Sequence, residues 1–189
     1  ILVDALRRKG LTEKENWLSS AKNRLNYEDA KKICKFVLLL VSHNRDASKT
    51  DVGLFGDVVR SDSQDTLNAA YYRAKKHGTL EHIAPDTQTP DWNTEIYSDF
   101  SQLKHSIGNL TLLPTRLNST VGNKSFKYKW VYFWQVGSQT VSDPDAVQAK
   151  AKTLGISVDK KIVGRLAKTE DYIRVNSPIA LMDPTTDRW

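Results

Sequence analysis

An acid, a histidine and two asparagines are set along the middle of this chain in a pattern that suits phosphodiester hydrolysis. Glu81 and His82 are adjacent, Asn109 sits in Gly108-Asn109-Leu110, and Asn118 follows nine positions later. Hydrolysis needs a base to take a proton from water and, commonly, a divalent cation to hold the phosphate and steady the leaving oxygen. His82 can be the base, because a neutral imidazole is available near pH 7. Glu81 and Asn118 offer oxygen ligands, which suit a hard cation: Mg²⁺ is expected, with Mn²⁺ the alternative. Asn109 fits a supporting place, its amide bridging two strands and fixing the loop that aims His82. The catalytic expectation is therefore His82, Asn109 and Asn118, and the metal expectation Glu81 and Asn118. His105, Arg116, Lys124 and Lys129 lie close in sequence and are read as nucleic-acid contacts. The competing reading makes each an ordinary structural or solvated side chain.

Two short strands and a helix must bring these groups together. Gly78 fits a helix stop, so Thr79–Ile83 is expected to be a strand, and apolar Ile107–Leu113 a second one. Pro114 and Thr115 suit a helix start, which puts Asn118 early on a short helix whose positive end favours a phosphate. Neighbours on a strand point to opposite faces. Glu81 and His82 can share one site only if the strand ends or bends there, and Pro85 supplies that break. This is the layout of a ββα-metal nuclease finger.

Three blocks carry a resemblance: Leu80-Glu81-His82-Ile83-Ala84-Pro85, then Ile107-Gly108-Asn109-Leu110-Thr111-Leu112-Leu113, then Leu117-Asn118 through Asn123, Phe126 and Lys129. Together they resemble the C-terminal HNH nuclease domain of GmrSD-type modification-dependent restriction enzymes and related SspE-type phage-defence nicking enzymes. The resemblance implies a His-Me finger (HNH) core, cleavage of DNA by nicking or double-strand breakage, and a role in bacterial anti-phage defence or modification-dependent restriction. The last finger position is Asn118, where many HNH proteins carry histidine; that favours an oxygen-ligated Mg²⁺ or Mn²⁺ over Zn²⁺.

Composition sets the bounds. The chain has 189 residues, a formal net charge of +6 and a pI near 9.3. The length suits a single domain, and the basic balance favours an acidic partner, of which nucleic acid is the commonest; the resemblance makes it DNA. Cys34 is the only cysteine, so there is no disulfide framework and no cysteine zinc site, in keeping with a reducing bacterial cytoplasm. No stretch is long enough to span a bilayer, so no membrane partner is expected. The start at Ile1 and the single methionine, Met182, lead us to expect a piece of a longer protein whose upstream sensor or nucleotide-using domain lies outside it.

The expected fold class is α+β, mostly helical, with the ββα-metal core embedded in a helical domain. Residues 1–78 form a helical lead-in, 79–129 the finger and 130–189 a helical C-terminal part. In the lead-in, helices are expected through residues 1–25 with a break near Gly10, over Asn26–Asn44, around Leu54–Val59 and over Ser63–His77. Asn26–Asn44 carries an apolar stripe of Ala30, Ile33, Cys34, Val37, Leu38 and Val41. Cys34 on that stripe reads as a small core residue, and His43 as a cation suited to the helix end. Between the strands, Pro85–His105 is an insertion whose Trp92 and Tyr97 either stack on nucleotides or anchor the loop. Residues 126–136 fit two periods, Tyr128-Trp130-Tyr132-Trp134 for a strand and Phe126-Trp130-Phe133 for a helix. The family resemblance favours the helix. Asp143-Pro144 opens a further helix to Leu154, another runs from Asp159 to Arg174, and the tail after Pro178 is expected to be extended or packed on the surface. Two other functions fit the same residues: a non-catalytic DNA-binding or scaffold module with a degenerate finger, and a helical interaction domain in which His82 and the asparagines are structural.

Overall fold

The computed structural model describes residues 7–8, 13–59, 79–92, 94, 97, 103–138, 143–164 and 170–185. The fold is α+β and mostly helical, with two small antiparallel sheets. Helix α1 spans Lys14–Arg24 and α2 Tyr27–Asn44. Strands β1 (Arg45–Ala47) and β2 (Phe55–Val59) pair as one ribbon; β3 (Thr79–His82) and β4 (Leu110–Leu113) pair as the other. Helices α3 (Thr115–Val121), α4 (Phe126–Gly137), α5 (Pro144–Thr153), α6 (Lys160–Val163) and α7 (Glu170–Ala180) follow. The helix expected over Ser63–His77 lies outside the described residues.

Helix α2 starts where the Asn26 side chain accepts a hydrogen bond from the Asp29 amide at 2.8 Å. It kinks at Ala30 (φ −132°, ψ 31°). Its buried side runs through Cys34, Leu39 and Ser42, whereas Ile33 is 54% exposed. Of the expected apolar stripe, Cys34 is buried, Ala30 and Leu38 pack against the core, and Ile33 is the one exposed member; α2 meets β1, β2, β4 and α7. Ser42 tolerates burial by donating its hydroxyl to Leu39 O at 3.0 Å.

Two expected elements take other forms. Leu54–Val59 is not a helix: Phe55–Val59 is a strand, with Arg45 opposite Val59 and Ala47 opposite Phe55. Aromatic and β-branched residues suit the pleat, and Gly53 at φ +87° supplies the turn that returns the chain to β1. The second strand of the other ribbon begins at Leu110, not Ile107. Ile107–Asn109 forms a 3₁₀ turn, its Asn109 amide donating to Ser106 O at 3.0 Å. The β3–β4 register places Glu81 opposite Thr111 and His82 opposite Leu110.

Residues 126–136 form a helix, as the Phe126-Trp130-Phe133 spacing suggests. Both periods show in the sequence because α4 is buried nearly all round: Trp130, Val131, Tyr132, Phe133 and Val136 are all out of water. The single helix expected from Asp159 to Arg174 is instead two, α6 closing at Gly164 and α7 continuing past Pro178 to Ala180. The segment after Pro178 is correspondingly not surface tail at its start, since Ile179 is buried.

Helix α7 straps the C-terminal part to β4. Asn176, wholly buried, accepts from Thr111 Oγ1 at 2.9 Å and donates to Leu112 O at 2.8 Å. Trp130 Nε1 on α4 donates to Ile179 O at 3.1 Å. The α4–α7 approach is close enough to require glycine: a Cβ on Gly137 would meet Asn176 backbone C and O at 2.7 Å. Gly137→Ala should therefore cost about 1–3 kcal/mol by overpacking, read as a lower urea midpoint with an unchanged slope.

Candidate active site

Strand β3 ends at His82, and that ending resolves the problem of two neighbours on opposite faces. Glu81 and His82 both line a cleft of about 410 Å³, whose walls also include Tyr27, Asp86, Asn118 and Lys129. The side chain of Glu81 is 8% exposed. It meets Lys129 from α4, whose ammonium donates to Glu81 Oε1 at 2.6 Å and to His82 O at 2.7 Å. Burial pushes the Glu81 carboxyl up and the Lys129 ammonium down from their ordinary ranges, and their contact opposes both shifts. With no exposed surface at all, Lys129 is not available as a surface phosphate contact. It joins the helix to the end of the strand.

Asn109 closes the loop behind His82. Its Oδ1 accepts from the Ala84 amide at 2.8 Å, and its Nδ2 donates to Ala84 O at 2.8 Å and Lys104 O at 2.7 Å. Both ends of the inserted loop are thereby held to one amide. Asn118 is oriented by β3: Nδ2 donates to Leu80 O and to Thr79 Oγ1, each at 2.8 Å. A carbonyl can only accept, so the nitrogen must face Leu80, which leaves the amide oxygen as the atom able to ligate.

His82 is half-buried and carries the largest electrostatic perturbation among these groups. Burial first, then the neighbouring His105, hold its imidazole at about 4. It is therefore neutral near pH 7, with a free nitrogen lone pair, and a weaker base than an ordinary imidazole. An anionic phosphate in the cleft would draw that value back up. His82 Nε2 lies 3.2 Å from His105 Nδ1. His105 is only 12% exposed, and its Nε2 lies 3.2 Å from Glu28 Oε1 and 3.4 Å from Asp86 Oδ1. The expected nucleic-acid contact is thus packed behind His82 instead of facing a ligand. Lys104 completes the cluster at 2.6 Å from Asp86, and that hydrogen bond holds the Asp86 carboxyl below its ordinary range.

Arg116 and Lys124 are exposed and do not line the cleft, although Asn123 beside Lys124 does. Lys124 lies over the Tyr128 ring at 4.9 Å. Trp92 and Tyr97 anchor their loop: Trp92 is 4% exposed and donates to Lys124 O at 3.1 Å, while the Tyr97 hydroxyl donates to Pro85 O at 3.1 Å.

Tyr27, Glu28, Asp86 and Lys104 belong to the site without having been picked out from the sequence. Asp86 directly follows Pro85 and Lys104 directly precedes His105, so adjacency to the motif could have found them. Tyr27 and Glu28 come from the start of α2, far upstream, and no spacing points to them.

The oxygen donors suit a small hard cation better than a zinc site. Among the described residues no group of three or more His, Cys, Asp or Glu is arranged so that it could hold a metal ion. Mg²⁺ needs no such cage, since it commonly takes one or two protein oxygens, waters and substrate phosphate. Asn118 offers an amide oxygen and Glu81 a second carboxylate oxygen, and both residues line the cleft.

Residues 12–133 match a family model described as GmrSD restriction endonucleases, C-terminal domain. No curated protein matches the chain.

The buried Lys129–Glu81 pair yields a test independent of activity. Lys129→Met alone should cost about 3–5 kcal/mol, because it strands a carboxylate out of water. The joint change with Glu81→Met should recover most of that loss in urea unfolding.

Proposed function

Since the chain belongs to the family of GmrSD restriction endonuclease C-terminal domains, we propose that it is a metal-dependent, HNH-type DNA endonuclease with His82 as general base. The family makes it a nuclease domain of restriction-endonuclease type. The finer reading is the ββα-metal mechanism, and one observation carries it: His82, Glu81 and Asn118 line a single cleft between β3 and α3. In this reading His82 removes a proton from water and the resulting hydroxide oxygen bonds to phosphorus. The bond from phosphorus to the leaving sugar oxygen breaks, and that oxygen is protonated from solvent. Glu81 and Asn118 would hold the cation, which when bound supplies Lewis-acid stabilisation of charge on the phosphate and the leaving oxygen. Lys129 and Asn109 act on geometry, the first by holding Glu81 and the His82 carbonyl, the second by holding the loop beyond them.

DNA is the substrate in this reading, and phage defence or modification-dependent restriction the setting. The described residues include no helix long and apolar enough to cross a membrane. A domain upstream in the same protein would do the sensing.

One observation favours a second reading, a DNA-binding module with a degenerate finger: Lys129 already occupies Glu81 Oε1. Calorimetric titration with Mg²⁺ and Mn²⁺ separates the two, binding weakened by Asn118→Ala favouring the enzyme. Supercoiled plasmid with Mg²⁺ should be nicked or linearised, and chelator should stop it. His82→Ala should lower the rate by about 10²–10⁴-fold. A folded His82→Ala protein that cuts at the unmodified rate would sink the assignment.

A further inference from the structure

The hydrogen-bond chain behind His82 has a direction that can be read from its far end. His105 Nε2 faces two carboxylate oxygens, on Glu28 and Asp86. Carboxylates accept and do not donate, so that nitrogen carries hydrogen. In the neutral ring, the form present at mildly alkaline pH, His105 Nδ1 is then the acceptor at the near end, 3.2 Å from His82 Nε2. The hydrogen between the rings belongs to His82 Nε2, and His82 Nδ1 is left as the nitrogen that can take a proton.

Resting on the reading of His82 as base, we propose that His105 is its positioning residue, with Glu28 and Asp86 setting the tautomer of His105 and, through it, that of His82. Contacts around the pair support a fixed arrangement. His105 O accepts from the Tyr27 amide at 2.7 Å, Leu25 O accepts from the Ile107 amide at 3.1 Å, and Asn26 bridges to Ser106. The Tyr27 ring lies 4.5 Å from the His82 ring and 6.1 Å from the His105 ring, centroid to centroid, and packs beside both. The base is thereby aimed by a segment outside the two strands and helix that carry it. This is the histidine–carboxylate orientation principle, in which the partner of one ring nitrogen decides what the other can do.

The test measures tautomer and turnover in parallel. In the unmodified chain, nitrogen NMR of the His82 ring at mildly alkaline pH should show hydrogen on Nε2. His105→Leu should mix the tautomers and lower kcat roughly ten- to hundred-fold with KM little changed. His105→Asn places an amide oxygen where Nδ1 stood and should restore both the tautomer and most of kcat. Hydrogen on Nδ1 of His82 in the unmodified chain, or a folded His105→Leu protein with full kcat, overturns the proposal. Loss of activity in His105→Leu without rescue by His105→Asn, and with the His82 tautomer unmoved, overturns it as well. Full activity in His82→Ala would instead defeat the base assignment, while the NMR result would still decide what His105 does to the ring.

Discussion

The ammonium of Lys129, held out of water between the Glu81 carboxylate and the His82 carbonyl, joins the two halves of this protein. Helix α4 brings it from the aromatic core, and β3 brings its partners from the ribbon. A buried ion pair of this kind is a poor source of net stability, since taking both charges out of water costs several kcal/mol per ion. Its value is geometric. No apolar substitute would fix the carboxylate and the last carbonyl of a strand at the same point. The cleft residues inherit their positions from that tie: Glu81 directly, His82 through its own backbone, and Asn118 through its two bonds to β3.

Support for the site arrives in layers from distant parts of the chain. Asn109 gathers Ala84 and Lys104, so the insertion between the strands starts and ends at one side chain. Trp92 and Tyr97 are committed to that loop's own anchorage, which explains why an aromatic-rich insertion need not be a stacking platform. Behind β4, Asn176 matches a buried hydroxyl and a carbonyl with one amide, and so holds α7 against the ribbon. Each of these is a polar side chain inside a core, satisfied by a specific partner. Such groups specify one arrangement, because any slip leaves a donor or acceptor unpaired.

What could be read from the sequence divides along physical lines. The ribbon and the helix after it were legible, because Pro114 and Thr115 mark the helix start and the three motif blocks fall within them. The helix at 126–137 was legible only against a competing strand period, since burial on all sides hides a helix's periodicity. Strand β2 was misread as helix, because its pairing partner, Arg45–Ala47, has no strand character of its own. Along α2 the stripe was legible except at Ile33, which lies exposed because the packed side of a helix is chosen by its neighbours, and these come from later in the chain. At the site, His82, Glu81, Asn109 and Asn118 stood out by residue type and spacing. The placement of Lys129 and His105 did not: a lysine and a histidine near a motif look alike whether they face solvent or sit behind a working side chain. Glu28 and Tyr27 were invisible for a simpler reason, as only the folded chain brings them there.

The bridge between Asn26 and Ser106 joins positions eighty residues apart. Closing so long a loop is entropically slow compared with zipping β3 to β4 or docking α3 on α4. Compactness and competence are therefore separate events in the life of a newly made chain. A molecule that has collapsed around its tryptophans, but has not yet laid the start of α2 across residues 105–107, would hold its imidazole unaimed. For a nuclease, that order of assembly would delay the hazard to its host until the start of α2 is in place.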